Sequence, residues 1–203
     1  MKLTAHDICT ATGGTLVQGS AETIFTAVTI DSRTASAGAL FVPLPGTNTD
    51  GHAFLATAVQ QGAAGFFFAE HLNPVLPEGA VAIRVRDPLT ALQSLATWAR
   101  TRSAARIIGI AGSNGKTTTK ELMAQVFASQ KKTWATPGNL NNHIGLPLTL
   151  LRAEADVEVM VLELGTSGAG ELTTLCQIAQ PHIGVITSIA EEHTETLKDL
   201  AGV

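Results

Sequence analysis

The sequence predicts an α/β protein, a small N-terminal α/β unit followed by a P-loop-type unit with a mostly parallel sheet. Three observations carry that reading. The apolar run at 63–69 (AAGFFFA) has the continuous hydrophobicity of a strand buried on both faces, and 157–164 (VEVMVLEL) and 183–189 (IGVITSI) read as further strands, the last of them buried. Stretches of helical period alternate with them. At 106–127 a strand, a glycine turn, Lys-Thr and a helix follow one another without a break.

In chain order, Thr4 is placed to cap a short helix over 4–12, with Asp7 as its capping-box partner and Gly13-Gly14 as its end. Residues 26–30 (TAVTI) read as a strand that runs into Asp31-Ser32-Arg33. Residues 39–44 (ALFVPL) read as a second, closed by Pro45-Gly46. A polar loop from Thr47 to His52 leads into a helix over 53–61, which Gly62 stops. Strands over 63–69 and 80–85 follow, then a helix opened by Pro88 that carries Leu92, Leu95, Ala96 and Ala99. The short, polar segment from Thr101 to Ala105 is the expected linker, which gives two domains, 1–103 and 104–203. The second holds the glycine turn, a short strand at 133–135 and a loop dense in asparagine from Thr136 to Gly145. A strand over 157–164, a helix over 170–179 ended by Pro181, and a buried strand over 183–189 complete it.

The organising stretch is RIIGIAGSNGKTTTKELM, residues 106–123. Glycines at 112 and 115 let backbone N–H groups converge on phosphate oxygens, because no Cβ blocks the approach. A helix N-terminus adds partial positive charge at the same place, Lys116 a full one, and the Thr117 hydroxyl a ligand for Mg²⁺. Leu122, Met123, Val126 and Phe127 are expected to form the buried face of that helix. The longer pattern G-x-x-x-x-G-K-[ST] would need Gly at position 110, where this chain has Ile110, so the motif is the shorter G-x-x-G-K-T. The alternative is an ordinary strand-to-helix turn with a solvated lysine.

Two further strands end in groups suited to the same site, one at Glu163 and the other just before His193. A carboxylate closing a hydrophobic strand beside a Lys-Thr loop is a usual way to hold Mg²⁺ on nucleotide phosphates. The alternatives are a solvated strand-edge Glu163 and a surface His193. Asn139, Asn141 and Asn142 offer amide donors and acceptors to sugar or phosphate oxygens, or else form a turn-rich surface loop.

Composition bounds the rest. The 203 residues are 45% hydrophobic and 15% charged, enough for a sizeable core. A net charge of −4, a pI near 5.8 and the lack of any basic run argue against a nucleic-acid partner. Cys9 and Cys176 have no metal-ligand spacing and read as buried thiols of a reducing compartment. The N-terminus lacks the apolar core of a secretory signal, and no apolar stretch spans a bilayer. A cytoplasmic protein without membrane insertion, and a monomer, is expected.

The segments GSNGKTTTKELM, TPGNLNNHIGLPLTLL, VLELG with GEL, and PHIGVITSI with its following His resemble the Mur ligase family, as do Asp31-Ser32-Arg33, Gly38 to Val42, and Gly46 with Asp50-Gly51-His52. The resemblance covers essentially the whole chain and fits best the family member that handles D-alanyl-D-alanine; the neighbouring member that adds a diamino acid shares the DSR segment and the glycine loop. It implies a uridine-nucleotide-binding first domain and an ATP-binding second one. Implied cofactors are ATP, bound by Gly112, Ser113, Asn114, Gly115, Lys116, Thr117 and Thr118, and Mg²⁺, held by Thr117, Glu163 and His193. Lys116, Glu163 and His193 are the implied catalytic residues, and Ser32, Arg33, Asp50, Gly51, Asn139, Asn141 and Asn142 the implied substrate contacts. The implied reaction of peptidoglycan synthesis activates UDP-MurNAc-tripeptide as an acyl phosphate and joins it to D-alanyl-D-alanine. Ser167-Gly168, His143 and Glu192 depart from the family's pattern, and no role is assigned to them. The family continues well beyond Val203, so this chain reads as an N-terminal part, inactive by itself. The other readings are a P-loop kinase and a non-catalytic nucleotide-binding module.

Overall fold

The structure, a computed structural model, describes residues 2–46 and 49–190. The chain forms two compact units, Met1–Trp98 and Ala99–Val203.

The first unit opens with β1 (Leu3–Thr4) and α1 (Ala5–Thr12). The expected capping box is present: Asp7 N–H donates to Thr4 Oγ1 at 3.0 Å, and Thr4 N–H donates to Asp7 Oδ2 at 2.9 Å. There follow β2 (Thr15–Gln18), β3 (Ile24–Phe25), β4 (Ala27–Thr29), β5 (Ala39–Phe41), α2 (Leu55–Gln60), β6 (Gly65–Ala69), β7 (Val81–Val85) and α3 (Pro88–Thr101). Short 3₁₀ turns at Ser32–Thr34 and Gly51–Phe54 lie between them. Five strands form one sheet in the order β2-β7-β6-β5-β4, parallel except where β2 meets β7. The β1–β3 pair and β2 were not expected; such two- and four-residue strands are too short to show a period. β6 is buried along its whole length, and Phe66 and Phe68 pack with Phe41, Leu55 and Ala58 in the core.

The break between the units falls inside α3, so the helix runs on through the start of the expected linker. The second unit contains β8 (Arg106–Ala111), α4 (Lys116–Ala128), β9 (Thr133–Ala135), α5 (Gly145–Arg152), β10 (Val159–Glu163), α6 (Glu171–Ala179) and β11 (Ile183–Ile186). Its sheet is parallel throughout, in the order β11-β8-β10-β9.

Several expectations are corrected here. In α4 the core face is Lys120, Met123, Ala124 and Phe127, whereas Leu122 and Val126 are exposed. Both sets have helical spacing, so periodicity alone could not choose between them once a lysine lay on the buried face. Among the described residues β11 pairs only with β8, and Ile183 and Ile186 are exposed. α5 had no expected counterpart. GLPLTLL is buried throughout, and an apolar run this short cannot be assigned to helix or strand by pattern alone. Cys9 and Cys176 are half-buried free thiols rather than fully buried ones, and partial burial pushes both upward in pKa.

Candidate active site at the parallel strand ends

The sheet register brings the strand ends together. Glu163, the last residue of β10, stands opposite Ile110 of β8, and Ile186 of β11 stands opposite Ala111. The glycine loop therefore leaves the central strand with β10 on one side and β11 on the other. The C-terminal edge of a parallel sheet is where open α/β folds bind ligands.

The loop needs its glycines. Gly112 has φ 126° and Gly115 φ 82°, both in the left-handed region, and Gly115 leads straight into α4 without offering a side-chain cap. The segment after β11 braces the loop. Ser113 N–H donates to Ser188 O at 2.9 Å, Asn114 N–H to Ser188 Oγ at 3.0 Å, and Thr187 Oγ1 to Asn114 O at 2.6 Å. Ala190 N–H adds a 2.9 Å bond to Ser113 Oγ. Motif reading did not single out Thr187 and Ser188; their only sequence signal is a polar pair closing an apolar run.

Lys116 reaches back over the loop, donating to the carbonyls of Gly112 and, at 3.1 Å, Ser113. Thr117 Oγ1 donates to Glu163 Oε2 at 2.9 Å, and Asn141 Nδ2 to Glu163 Oε1 at 2.8 Å. Glu163 is 4% exposed, and among the described residues its carboxylate meets only these neutral donors and no ion-pair partner. A buried carboxylate beside a hydroxyl, with no balancing cation among the described residues, is a hard-oxygen donor set suited to Mg²⁺. No described group of three His, Cys, Asp or Glu gathers as a metal cage.

The asparagines divide. Asn141 belongs to the Glu163 network, and its carbonyl also accepts from Gly165 N–H at 2.9 Å. Asn142 Oδ1 accepts from Ile144 and Gly145 N–H at 3.1 and 2.8 Å, serving the start of α5. Asn139 is exposed, as is Thr118. His193, with Glu192, lies outside the described residues.

A second cluster belongs to the first unit alone. Asp31, Ser32, Arg33, Phe41, Gly51 and Phe54 line a cleft of about 600 Å³. Ser32 is buried, while Arg33 is exposed and paired with Asp31 at 2.8 Å. Asp50 accepts from His52 N–H at 2.9 Å, and His52 Nε2 accepts from Ala69 N–H at 3.1 Å, which ties this loop to the end of β6.

Two family descriptions match the sequence: the Mur ligase catalytic domain over residues 24–99 and the Mur ligase middle domain over 110–203. Between them they account for most of the chain. It belongs to the Mur ligase family. The UDP-N-acetylmuramoyl-tripeptide–D-alanyl-D-alanine ligase of Bacillus subtilis is 40% identical over 205 residues, covering 100% of this chain and 44% of that protein. Among solved structures, a MurF crystal structure from Acinetobacter baumannii superposes with a TM-score of 0.91 at 32% identity, covering 100% of this chain and 44% of the other. MurF ligase from Thermotoga maritima in complex with ADP superposes with a TM-score of 0.78 at 29% identity, covering 87% and 40%. This Mur ligase chain thus spans a little under half the length of the relatives it matches. No helix among its described residues is long and apolar enough to cross a membrane.

The cleft of the first unit gives a pH prediction. Asp31 is lowered to about 2, first by the hydrogen bond from the Arg33 side chain and then by that from Arg33 N–H. A carboxyl depressed in the fold stabilises it above the ordinary carboxylate pKa, and that contribution is lost as pH falls through the folded value. The Ser32–Thr34 turn should therefore keep its form at pH 4 and loosen only toward pH 2 (roughly the folded pKa). An NMR titration that found Asp31 protonating at an ordinary carboxylate pKa would contradict this.

Proposed function

We propose that the protein carrying this chain is an ATP- and Mg²⁺-dependent carbon–nitrogen ligase that joins D-alanyl-D-alanine to UDP-MurNAc-tripeptide in peptidoglycan precursor synthesis. The observation that carries the reading is the 2.9 Å contact between Thr117, the first hydroxyl after the loop lysine, and the buried Glu163 on the neighbouring parallel strand. The names of the B. subtilis relative and of the ADP-bound T. maritima structure support it.

In this reading residues 104–203 are the first part of the ATP-binding domain, with the loop from Gly112 to Thr118 around the phosphates. Thr117, Glu163 and His193 would hold Mg²⁺, which when bound would supply charge neutralisation for the nucleotide phosphates. Lys116 exchanges its loop carbonyls for phosphate oxygens and stabilises the charge that builds as a substrate carboxylate oxygen attacks the γ-phosphorus and ADP leaves. The amine of D-alanyl-D-alanine then attacks the acyl carbon; phosphate departs, a proton is lost, and an amide forms. Residues 1–103 are the uridine-nucleotide domain, with Ser32, Arg33, Asp50 and Gly51 at the substrate's UDP end. Asn139, Asn141 and Asn142 face its muramoyl part. Such an enzyme works in the cytoplasm, where its nucleotides are.

The test has two arms. UDP-MurNAc-tripeptide titrated into the 203-residue chain should bind, and Arg33→Ala should weaken it. In a protein of the relatives' full length, phosphate release should require ATP, UDP-MurNAc-tripeptide and D-alanyl-D-alanine together. Release with a diamino acid in place of the dipeptide would point to the neighbouring amino-acid ligase. Nucleotide binding without uridine binding would point to a P-loop kinase or a non-catalytic module.

A further inference from the structure

Lys120 is a buried cation that the proposed chemistry does not use. It lies on the core face of α4 and is 1% exposed. Its ammonium donates to Thr136 O at 2.9 Å and meets Glu121 Oε1 at 3.0 Å. The other buried cation among the described residues, Arg100, has an evident structural role: its guanidinium donates to Ala179 O and Gln180 O, closing the end of α6. Lys120 instead donates to the carbonyl of Thr136, whose hydroxyl accepts from Glu163 N–H.

Thr136 is a junction. Its N–H donates to Val161 O at 3.1 Å, its Oγ1 accepts from Glu163 N–H at 2.9 Å, and its carbonyl takes the Lys120 ammonium. It also starts the loop that delivers Asn141 to Glu163 Oε1. The bonds close a ring: Thr117 on α4 to the Glu163 carboxylate, Glu163 N–H to Thr136, Thr136 to Lys120, and Lys120 back to α4 three residues after Thr117. Positions three apart share a helix face, so both ends of the ring are anchored on one side of α4. An unbranched apolar residue would fill the same core space without desolvating a charge. The ammonium adds a directional tie between the loop helix and the strand that carries Glu163.

We propose that Lys120 is a positioning residue: through Thr136 it holds the Glu163 carboxylate at the distance from Thr117 at which the two share the Mg²⁺ of a bound nucleotide. This rests on the reading of Thr117 and Glu163 given under the proposed function. Lys120 itself touches neither metal nor phosphate.

The experiment measures binding of a ribose-labelled fluorescent ATP to the 203-residue chain, in EDTA and across a MgCl₂ series. The proteins compared are wild type, Lys120→Met, Glu163→Gln and the double variant. Lys120→Met should raise the half-saturating Mg²⁺ concentration about tenfold while leaving affinity in EDTA within about twofold. Added to Glu163→Gln it should change nothing further, because a residue that acts through Glu163 has nothing left to position. A wild-type Mg²⁺ response in Lys120→Met, or a further loss in the double variant, overturns the proposal. Thr136→Val keeps the Lys120 bond but removes the hydroxyl that holds Glu163 N–H, and should reproduce the shift. Should Lys120→Met fail to fold, Thr136→Val decides alone, and an unchanged Mg²⁺ response there overturns the proposal. A wild-type chain whose nucleotide binding ignores Mg²⁺ overturns the reading of the site itself, and this inference with it.

Discussion

If the proposed reaction holds, Lys116→Ala in a protein of the relatives' full length is expected to slow acyl-phosphate formation by about 10³-fold, the scale on which loss of one preorganised electrostatic group acts. Two effects add. The transferring phosphoryl group loses the cation nearest the loop, and the loop loses the side chain that now spans the carbonyls of Gly112 and Ser113. Because the charge matters most where it develops, the loss should fall on kcat more than on the KM for ATP. Rapid-quench measurement of ADP formation separates the two. Near-normal turnover would remove the loop from the mechanism.

Gly112→Ala should be nearly as damaging, by a different route. At φ 126° an alanine is strained wherever it sits, and here its Cβ would run into Thr187 Oγ1 and fall 2.8 Å from Ser188 O. The second contact is with backbone, so the loop must part from the segment that braces it. A loss of about 2–4 kcal/mol in stability is expected, from backbone strain and displaced hydrogen bonds together. Nucleotide affinity should fall more than tenfold, or about 1.4 kcal/mol. Gly138 supplies the control. It also has a positive φ, 53°, but its Cβ would meet nothing within 4 Å. Gly138→Ala should therefore cost about 1 kcal/mol of strain and leave nucleotide binding unchanged. Equal effects from the two substitutions would show that the brace has no part in shaping the loop.

Local chemistry was legible wherever a few consecutive residues specify it. Thr4 and Asp7 announced the capping box, GFFFA a strand buried along its length, and GSNGKT a loop between strand and helix. What escaped were elements whose signal is weak or shared. The four residues of β2 show no period, and GLPLTLL of α5 is an apolar run too short to assign to helix or strand by pattern. The face of α4 was misread because Lys120, a charged residue, occupies its core.

By itself the sequence determined the α/β class, the glycine loop with its lysine and threonine, and the chemical types gathered for a site: an acid at a strand end, a hydroxyl and a cluster of amides. These follow from neighbours along the chain. The tertiary structure decided which groups meet. Parallel register sets Glu163 beside Ile110, so that Thr117, 46 residues away, can donate to it. It draws Asn141 into the network while leaving Asn142 to α5, and it makes Thr136 the junction between Lys120 and Glu163. Hydrogen bonds of 2.8–2.9 Å between residues far apart in sequence depend on strand order and register. Those are properties of the packed sheet, and no run of adjacent residues contains them.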